Sequence, residues 1–322
     1  MAGAYGNYSW PFLPYIGGQY AGIRTDFGTM VPPAANVHYV RSTGVADYDP
    51  PELTGRIFAD VNTALKECRS GRGDWVFVLP GHAESFGNNG DIWNNMVNGT
   101  RIVGLGYGSM RPTFTFTHAN AQFDIDTTDC MISNCVFTIS GTTTVANPFN
   151  VTVAGFQFIN NECMVGSSST CLATDFIKLN NAAATDCKII GNFMYSTTDA
   201  AITTILTTTG ANDRLEIIGN VIQAAQATAA SGALFDLSNA AIVQNNIMYN
   251  AIWNNTASSK YVIKPHASST GWVHGNVWGV GDSGTAPASA GWTTYTTGYR
   301  FGINQCITTT AASALLSPAV DS

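Results

Sequence analysis

A short signature recurs along this chain: an asparagine with apolar residues within three positions on either side. The registered asparagines are Asn134, Asn161, Asn192, Asn220, Asn246 and Asn276, separated by 27, 31, 28, 26 and 30 residues. A second apolar run precedes each asparagine by about nine to fourteen positions, and no stretch between the runs is long enough for a crossover helix. Short strands repeating at this interval are typical of a solenoid in which each repeat stacks on the next.

The repeat therefore predicts an all-β fold, a single-stranded, right-handed parallel β-helix of about six coils over residues 101–280. At about 4.8 Å per coil, the solenoid would be roughly 30 Å long. We expect the asparagine column to be structural. An asparagine tolerates the left-handed conformation at a bend, and stacked side-chain amides bond along a ladder. The apolar neighbours favour a buried bend over a sugar-binding surface.

Residues 49–100 are predicted to begin the solenoid. The sequence Asp49-Pro50-Pro51-Glu52 is a helix-start signal. The apolar spacing of Ile57, Val61, Leu65 and Cys68 then predicts one amphipathic helix over residues 52–68. This helix would cap the open apolar end of the β-helix, and the run at 74–80 would be the first strand.

The two ends of the chain are predicted to be extended. Residues 1–48 form an arm rich in glycine, proline and aromatic residues, and residues 281–322 form a weakly charged trailing segment. The aromatic residues assigned to partner binding are Tyr5, Tyr8, Trp10, Phe12, Tyr15 and Tyr20. So many aromatic side chains are unusual in a solvated tail, so the arm is expected to lie on the body or on a neighbour.

The low charge of the chain argues against some classes of function and favours others. Charged residues make up only 11% of the chain, the net charge is −7 and no basic cluster is present. These values exclude a basic face for nucleic-acid phosphates. Stacked coils explain part of the deficit, because columns of like charge would repel. A weakly charged surface also suggests that much of it is interface.

No membrane span, cofactor or metal site is expected. The chain has no 18-residue apolar run, and residues 1–23 lack the basic region of a signal peptide. The seven cysteines are scattered without a metal-binding spacing, so we expect buried thiols made in a reducing cytoplasm.

Catalytic candidates are weak. Asp124, Asp126 and Asp129 lie close together in one coil, and Asp175 and Asp236 could stack beside them on neighbouring coils to form a carboxylate site. Asp124 and Asp236 each lie between apolar strand residues, as ordinary outward-facing positions do. His82 beside Glu84 could present an imidazole, but a hydrogen-bonded turn histidine is the simpler interpretation.

One segment resembles a known family. Gly73-Asp74 is followed by an alternating apolar strand, then by Pro80-Gly81-His82 and Glu84. With the preceding helix, residues 47–86 are similar to the opening of parallel β-helix proteins encoded by tailed bacteriophages. That family includes head decoration or cement proteins, usually trimeric, and tailspikes that cleave cell-surface glycans.

The resemblance implies a virion protein, and the sequence favours the first of these two roles. The length leaves little room for a tailspike's additional domains, and the short motifs of β-helix polysaccharide hydrolases and pectate lyases are missing. We therefore expect a non-enzymatic capsid cement protein on the capsid exterior, made in the bacterial cytoplasm. Its expected partners are the major capsid protein and two further copies in a homotrimer. The alternative is a phage fibre or tailspike-like protein that binds or cleaves host polysaccharide.

Overall fold

A computed structural model describes residues 35–42, 57–87, 90–91, 93, 95–139, 144–165, 173–196, 202–224, 233–254, 261–280, 298–308 and 314–316. The chain winds as a β-solenoid whose strands fall into three sheets. Every strand pair is parallel except the last pair of the second sheet. The helices of the described part are α1 (Val61–Lys66) and a 3-10 turn (Gly108–Met110). None of the described helices is long and apolar enough to cross a membrane.

The first sheet has eleven strands. In spatial order they are β2 (Ile57–Phe58), β1 (Val37–Val40), β3 (Trp75–Val78), β6 (Arg101–Gly104), β9 (Met131–Ser133), β12 (Gln157–Ile159), β15 (Lys188–Ile190), β18 (Glu216–Ile218), β21 (Asn245–Met248), β24 (Gly271–His274) and β26 (Tyr299–Phe301).

The second sheet has ten strands and the third has seven. The second consists of β4 (Ala83–Phe86), β7 (Thr113–Phe116), β10 (Val136–Ile139), β13 (Glu162–Val165), β16 (Phe193–Tyr195), β19 (Val221–Ala224), β22 (Ala251–Asn254), β25 (Val277–Val280), β27 (Asn304–Thr308) and β28 (Ala314–Leu316). The third consists of β5 (Gly90–Asp91), β8 (Ala121–Ile125), β11 (Phe149–Val151), β14 (Ala173–Leu179), β17 (Ile202–Thr208), β20 (Ala233–Leu237) and β23 (Tyr261–Pro265).

The predicted all-β parallel β-helix is confirmed. Six coils, β6–β8 through β21–β23, each place one strand in all three sheets, and β3–β5 form a seventh coil of the same kind before them. Inward side chains stack in register from coil to coil, as in the column of Phe123, Phe149, Ile177 and Leu206. In the N-terminal coils this interior is aromatic, and the rings of Trp93 and Phe123 stack 4.1 Å apart. Burial of these columns supplies the main driving force for the fold.

The N-terminal cap is shorter than the sequence indicated. Helix α1 begins at Val61 because the Asp60 carboxylate accepts the Thr63 backbone N–H at 2.7 Å, an N-cap bond. The predicted helix over 52–68 is therefore wrong at Ile57, which lies in strand β2. Val61 and Leu65 are fully buried in the main core, so the helix does cover the end of the solenoid.

The predicted bounds of the N-terminal arm and of the C-terminal segment also differ from the structure. Residues 37–40, assigned by sequence to the arm, form β1 and pair in parallel with β3. Residues 299–308, assigned to an extended tail, form β26 and β27 and add a further coil to the first and second sheets. The predicted solenoid ended at residue 280, although Asn304 also has apolar residues within three positions on either side, Phe301 and Ile307.

Candidate functional site

The asparagines of the repeat lie at the bend between the first and second sheets, called here the exit bend. The structure brings together Asn161, Asn192, Asn220, Asn250, Asn276 and Asn304, one per coil, all at most 1% exposed. Each side-chain oxygen accepts the backbone N–H of the bend residue one coil earlier, as Asn220 Oδ1 does from Asn192 at 2.9 Å. Each side-chain nitrogen donates to a carbonyl of the first sheet, as Asn220 Nδ2 does to Ile189 at 2.8 Å.

The amides also bond to each other. From Asn192 to Asn276, each rung Nδ2 donates to the Oδ1 of the next asparagine at 2.9 Å, and the last acceptor is Asn304. The ladder therefore satisfies backbone groups that are buried at the bend. These asparagines serve the fold and offer no solvent-facing site.

Two members of the predicted column are wrong. Asn134 stands one position before the ladder, where Cys135 occupies the rung and donates its N–H to Asn161. Asn246 lies on strand β21 opposite Glu216, half-buried on the outer face. The true member is Asn250, which fits the repeat signature equally well, so the alignment was displaced by four residues within one coil.

The left-handed conformation expected of the column is found at Asn134 among its predicted members, with φ 54°. In the coils from Asn161 to Asn276 it belongs to the residue before the rung: Asn160, Gly191, Gly219, Tyr249 and Gly275, with φ between 54° and 67°. The rung asparagine follows this turn and points inward. Two neighbouring residues therefore have different roles at the bend. The first turns the backbone, and the second hydrogen-bonds to backbone groups that the turn leaves without partners.

The aromatic arm residues Tyr5, Tyr8, Trp10, Phe12, Tyr15 and Tyr20 lie outside the described residues. Their assignment to partner binding stays a prediction.

The outer surface of the second sheet is the most distinctive exposed feature. Strands β16, β19, β22 and β25 contain no Asp, Glu, Lys or Arg. Their outward residues are Phe193, Tyr195, Val221, Gln223, Ala251, Trp253, Val277 and Gly279, and we call this set the uncharged face. Phe193, Val221 and Val277 are 41%, 49% and 37% exposed. These three side chains share one column, and apolar side chains exposed along a column indicate a surface that binds another molecule.

In contrast to the uncharged face, the outer surfaces of the first and third sheets carry charged residues. On the first sheet Lys188 lies 3.3 Å from Glu216 on the next strand. On the third sheet Lys264 lies 3.9 Å from Asp236, and Lys178 lies 3.8 Å from Asp175. These outward positions carry charges of both signs that pair within the chain, as solvated surfaces commonly do.

A polar depression of about 300 Å³ lies on the first-sheet side of the solenoid. It is lined by Asp186, Lys188, Arg214, Glu216, Gln244 and Asn246. Arg214 binds Asp186 through two bonds, of 2.5 and 2.7 Å. One strand further along, Trp272 is 49% exposed, opposite Asn246, with the Arg300 guanidinium 5.5 Å from its ring. The sequence did not single out this combination.

The carboxylates weighed from sequence do not converge. Asp124 accepts bonds from Gln122 and Asn150, and Asp236 accepts from its neighbour Ser238. Asp175 accepts from Thr204 and Thr207. These three carboxylates are therefore held by local partners on the third sheet. Asp126 and Asp129 are exposed between β8 and β9, outside the strands.

His82 belongs to a hydrogen-bonded chain at the N-terminal cap. Its Nδ1 lies 3.0 Å from Ser42 Oγ, and its Nε2 lies 2.7 Å from Glu84 Oε1. The order serine, histidine, carboxylate resembles a nucleophile relay. However, Ser42 Oγ also accepts the N–H of Ala83 and lies 3.1 Å from the Ala83 carbonyl, and Glu84 accepts the N–H of Val61. These bonds tie β1, β4 and α1 together, which is a structural role.

A second polar cluster lies beneath the same cap. His38, Cys68 and Asp74 are buried with potential ligand atoms within 4.8 Å of one another. Asp74 already accepts the backbone N–H groups of Asn36 at 2.6 Å and Arg69 at 2.7 Å. Burial, together with the nearby Asp74 charge, raises the pKa of the Cys68 thiol to about 12. The Asp74 carboxylate is thus already engaged by backbone donors, as a buried carboxylate in a packed polar interior is.

Comparison of the chain with protein-family models, with curated proteins and with solved structures finds no match in any of the three.

Proposed function

We propose that this protein is a structural component of a tailed-phage virion, a capsid cement or decoration protein that acts by covering surface. The observation that carries the proposal is the uncharged face, where Phe193, Val221 and Val277 are exposed in one column with Ala251 between the two valines. Such a surface is costly to leave in water and gains free energy when it is buried in an assembly.

In the proposed mechanism, the solenoid is a rigid body that bridges subunit junctions of the capsid exterior. The aromatic arm would contact the major capsid protein, and the solenoids would associate as a homotrimer. Burial of interface area at each junction would oppose the internal pressure of a filled head. The resemblance of residues 47–86 to phage β-helix proteins supports this assignment.

Co-sedimentation with phage heads that lack this protein tests the proposal. The full chain should pellet with the heads and raise the temperature at which they release DNA. A variant without residues 1–34 keeps β1 intact, so it should remain folded but stay in the supernatant. Failure of the full chain to bind any head would overturn the cement role.

The second candidate is a fibre protein that binds host polysaccharide, favoured by the polar depression and Trp272. Amides, paired charges and an exposed aromatic ring are groups that can hold sugar hydroxyls and pyranose faces. Titration of the protein with host capsular polysaccharide, following tryptophan fluorescence, tests this role. Trp272→Ala should abolish binding, whereas Trp253→Ala on the other sheet should not. Release of new reducing ends would indicate a glycan-cleaving enzyme and would contradict the structural proposal.

A further inference from the structure

We propose that the uncharged face is the surface through which copies of this chain bind each other side by side. The inference rests on the proposed assembly role and adds the partner of this face, a second copy of the same chain. It leaves the arm free to contact a different protein.

Charge selects a second copy over other occupants. In a symmetric contact between identical surfaces, each residue approaches itself or a close neighbour. A charged residue near the axis would then meet a like charge, which is unfavourable. The outward columns of β16, β19, β22 and β25 avoid this problem because they hold no Asp, Glu, Lys or Arg. The nearest outward charge in the same column is Glu162, which binds Arg111.

The remaining outer surfaces lack this property. Columns of the first and third sheets include Lys188, Glu216, Asp236 and Lys264. Two identical surfaces of this kind could meet only by breaking ion pairs that are already made within each chain. Desolvation of those charges would cost more than the contact returns.

The spacing and flatness of the uncharged face also match those of a second copy with the same repeat. Its columns are straight and step by about 4.8 Å, the spacing of strands in a sheet. Trp253 lies flat over Gly279, since a Cβ added to Gly279 would clash with the Trp253 ring. The ring is therefore pressed onto the sheet instead of projecting from it, and the face stays even. A second solenoid presents the same spacing, so side chains of one copy can enter the gaps of the other on every coil.

The apolar surface continues around the exit bend. Ile190, Ile218 and Met248 form a half-buried column on the adjoining edge of the first sheet. Tyr249 and Ile303, at the bend itself, are 58% and 71% exposed. This continuation widens the face without adding an Asp, Glu, Lys or Arg, although His274 is the next residue of the column after Met248. The contact can therefore extend past a single sheet.

Sedimentation velocity of the full chain, with and without one added charge, tests the inference. The wild-type protein should sediment as a multimer at micromolar concentration. Val221→Lys places a cation at the centre of the uncharged face and should raise the dissociation constant at least about tenfold. Val243→Lys is the matched control, because Val243 is 38% exposed and lies outside the second sheet. It should leave the multimer unchanged.

Circular dichroism of each variant separates assembly from folding. If Val221→Lys does not fold, Ala251→Lys on the adjacent strand replaces it. A monomeric wild-type protein, or equal behaviour of Val221→Lys and Val243→Lys, would overturn the inference. Head binding is measured separately, so multimers that ignore phage heads would refute the cement role and leave this contact standing.

Discussion

The first sheet is flanked by two bends. Both turn the chain with a left-handed residue, but different side chains follow that residue at each bend. The exit bend leads to the second sheet, and the entry bend, before β9, β12, β15, β18 and β21, leads in from the third. At the entry bend the left-handed residues are Asp129, Gly155, Asp186, Arg214 and Gln244. The residues that follow them are Cys130, Phe156, Cys187, Leu215 and Asn245, all buried.

The comparison shows that a left-handed turn does not by itself require asparagine. The entry bend uses the amide device once, where Asn245 Oδ1 accepts the Leu215 N–H at 3.3 Å. The exit bend uses it on six successive rungs, where amides replace the strand pairing that the bend interrupts. The repeated asparagine therefore indicates hydrogen bonding to the backbone at the exit bend, and it does not indicate a left-handed backbone.

The largest expected effect comes from removing one rung of the exit bend. Asn250→Ala removes the acceptor of the Asn220 N–H and the donor to the Ile217 carbonyl, both within the buried bend. Leaving two buried groups without partners should cost about 4 kcal/mol of unfolding free energy. Urea denaturation followed by circular dichroism measures the loss. A cost below about 1 kcal/mol would show that the ladder is not needed.

Two glycines, one at each bend, differ in how closely the neighbouring coil approaches them. At Gly155 of the entry bend, φ is +78° and an added Cβ would lie 3.1 Å from the Asp129 Cα. At Gly219 of the exit bend, φ is +65° and no atom lies within 4 Å of the added Cβ. Gly219→Ala should cost about 1 kcal/mol from backbone strain alone, and Gly155→Ala about 2 to 3 kcal/mol because backbone must also move. Equal thermal shifts for the two variants would contradict the difference in packing.

Acidification should weaken the entry bend selectively. The hydrogen bonds from Arg214 lower the pKa of the Asp186 carboxyl below its usual value of 3.8. A depressed pKa in the folded state stabilises the protein above the unfolded pKa, and the gain is lost as pH falls below about 4. Arg214→Gln gives this bend the residue that Gln244 supplies one coil later. The variant should be slightly less stable than wild type at pH 6, and the gap should close at pH 2 and in high salt, because the pair is half-exposed.

The smallest effect should follow from Asn246→Ala. Asn246 is half-buried on the outer face of β21, four residues from the rung at Asn250. Its removal should change the unfolding free energy by less than about 0.5 kcal/mol, as is usual for surface positions. A loss as large as that of Asn250→Ala would restore Asn246 to the ladder and contradict the register of β21 against β18.

The fold was accessible from sequence because the exit bend repeats one residue type, whereas the exact rungs were not. Asn246 and Asn250 give equally regular spacings, and only the pairing of β21 with β18 distinguishes them. The short helix was overestimated because Ile57 fits both a helical face and the two-residue strand β2. The uncharged face could not be found from composition, because it depends on which residues of separate strands share one side of a sheet.

The asparagine ladder also bears on how such a protein changes in evolution. Each amide bonds only to the coils directly beside it, so no rung depends on the total number of rungs. Duplication or loss of a whole repeat would therefore still place one asparagine rung beside another. It would lengthen or shorten the solenoid by one coil at a time. An insertion of a few residues would instead shift an amide out of its column. The chain is thus built so that its length can be inherited as a whole number of coils.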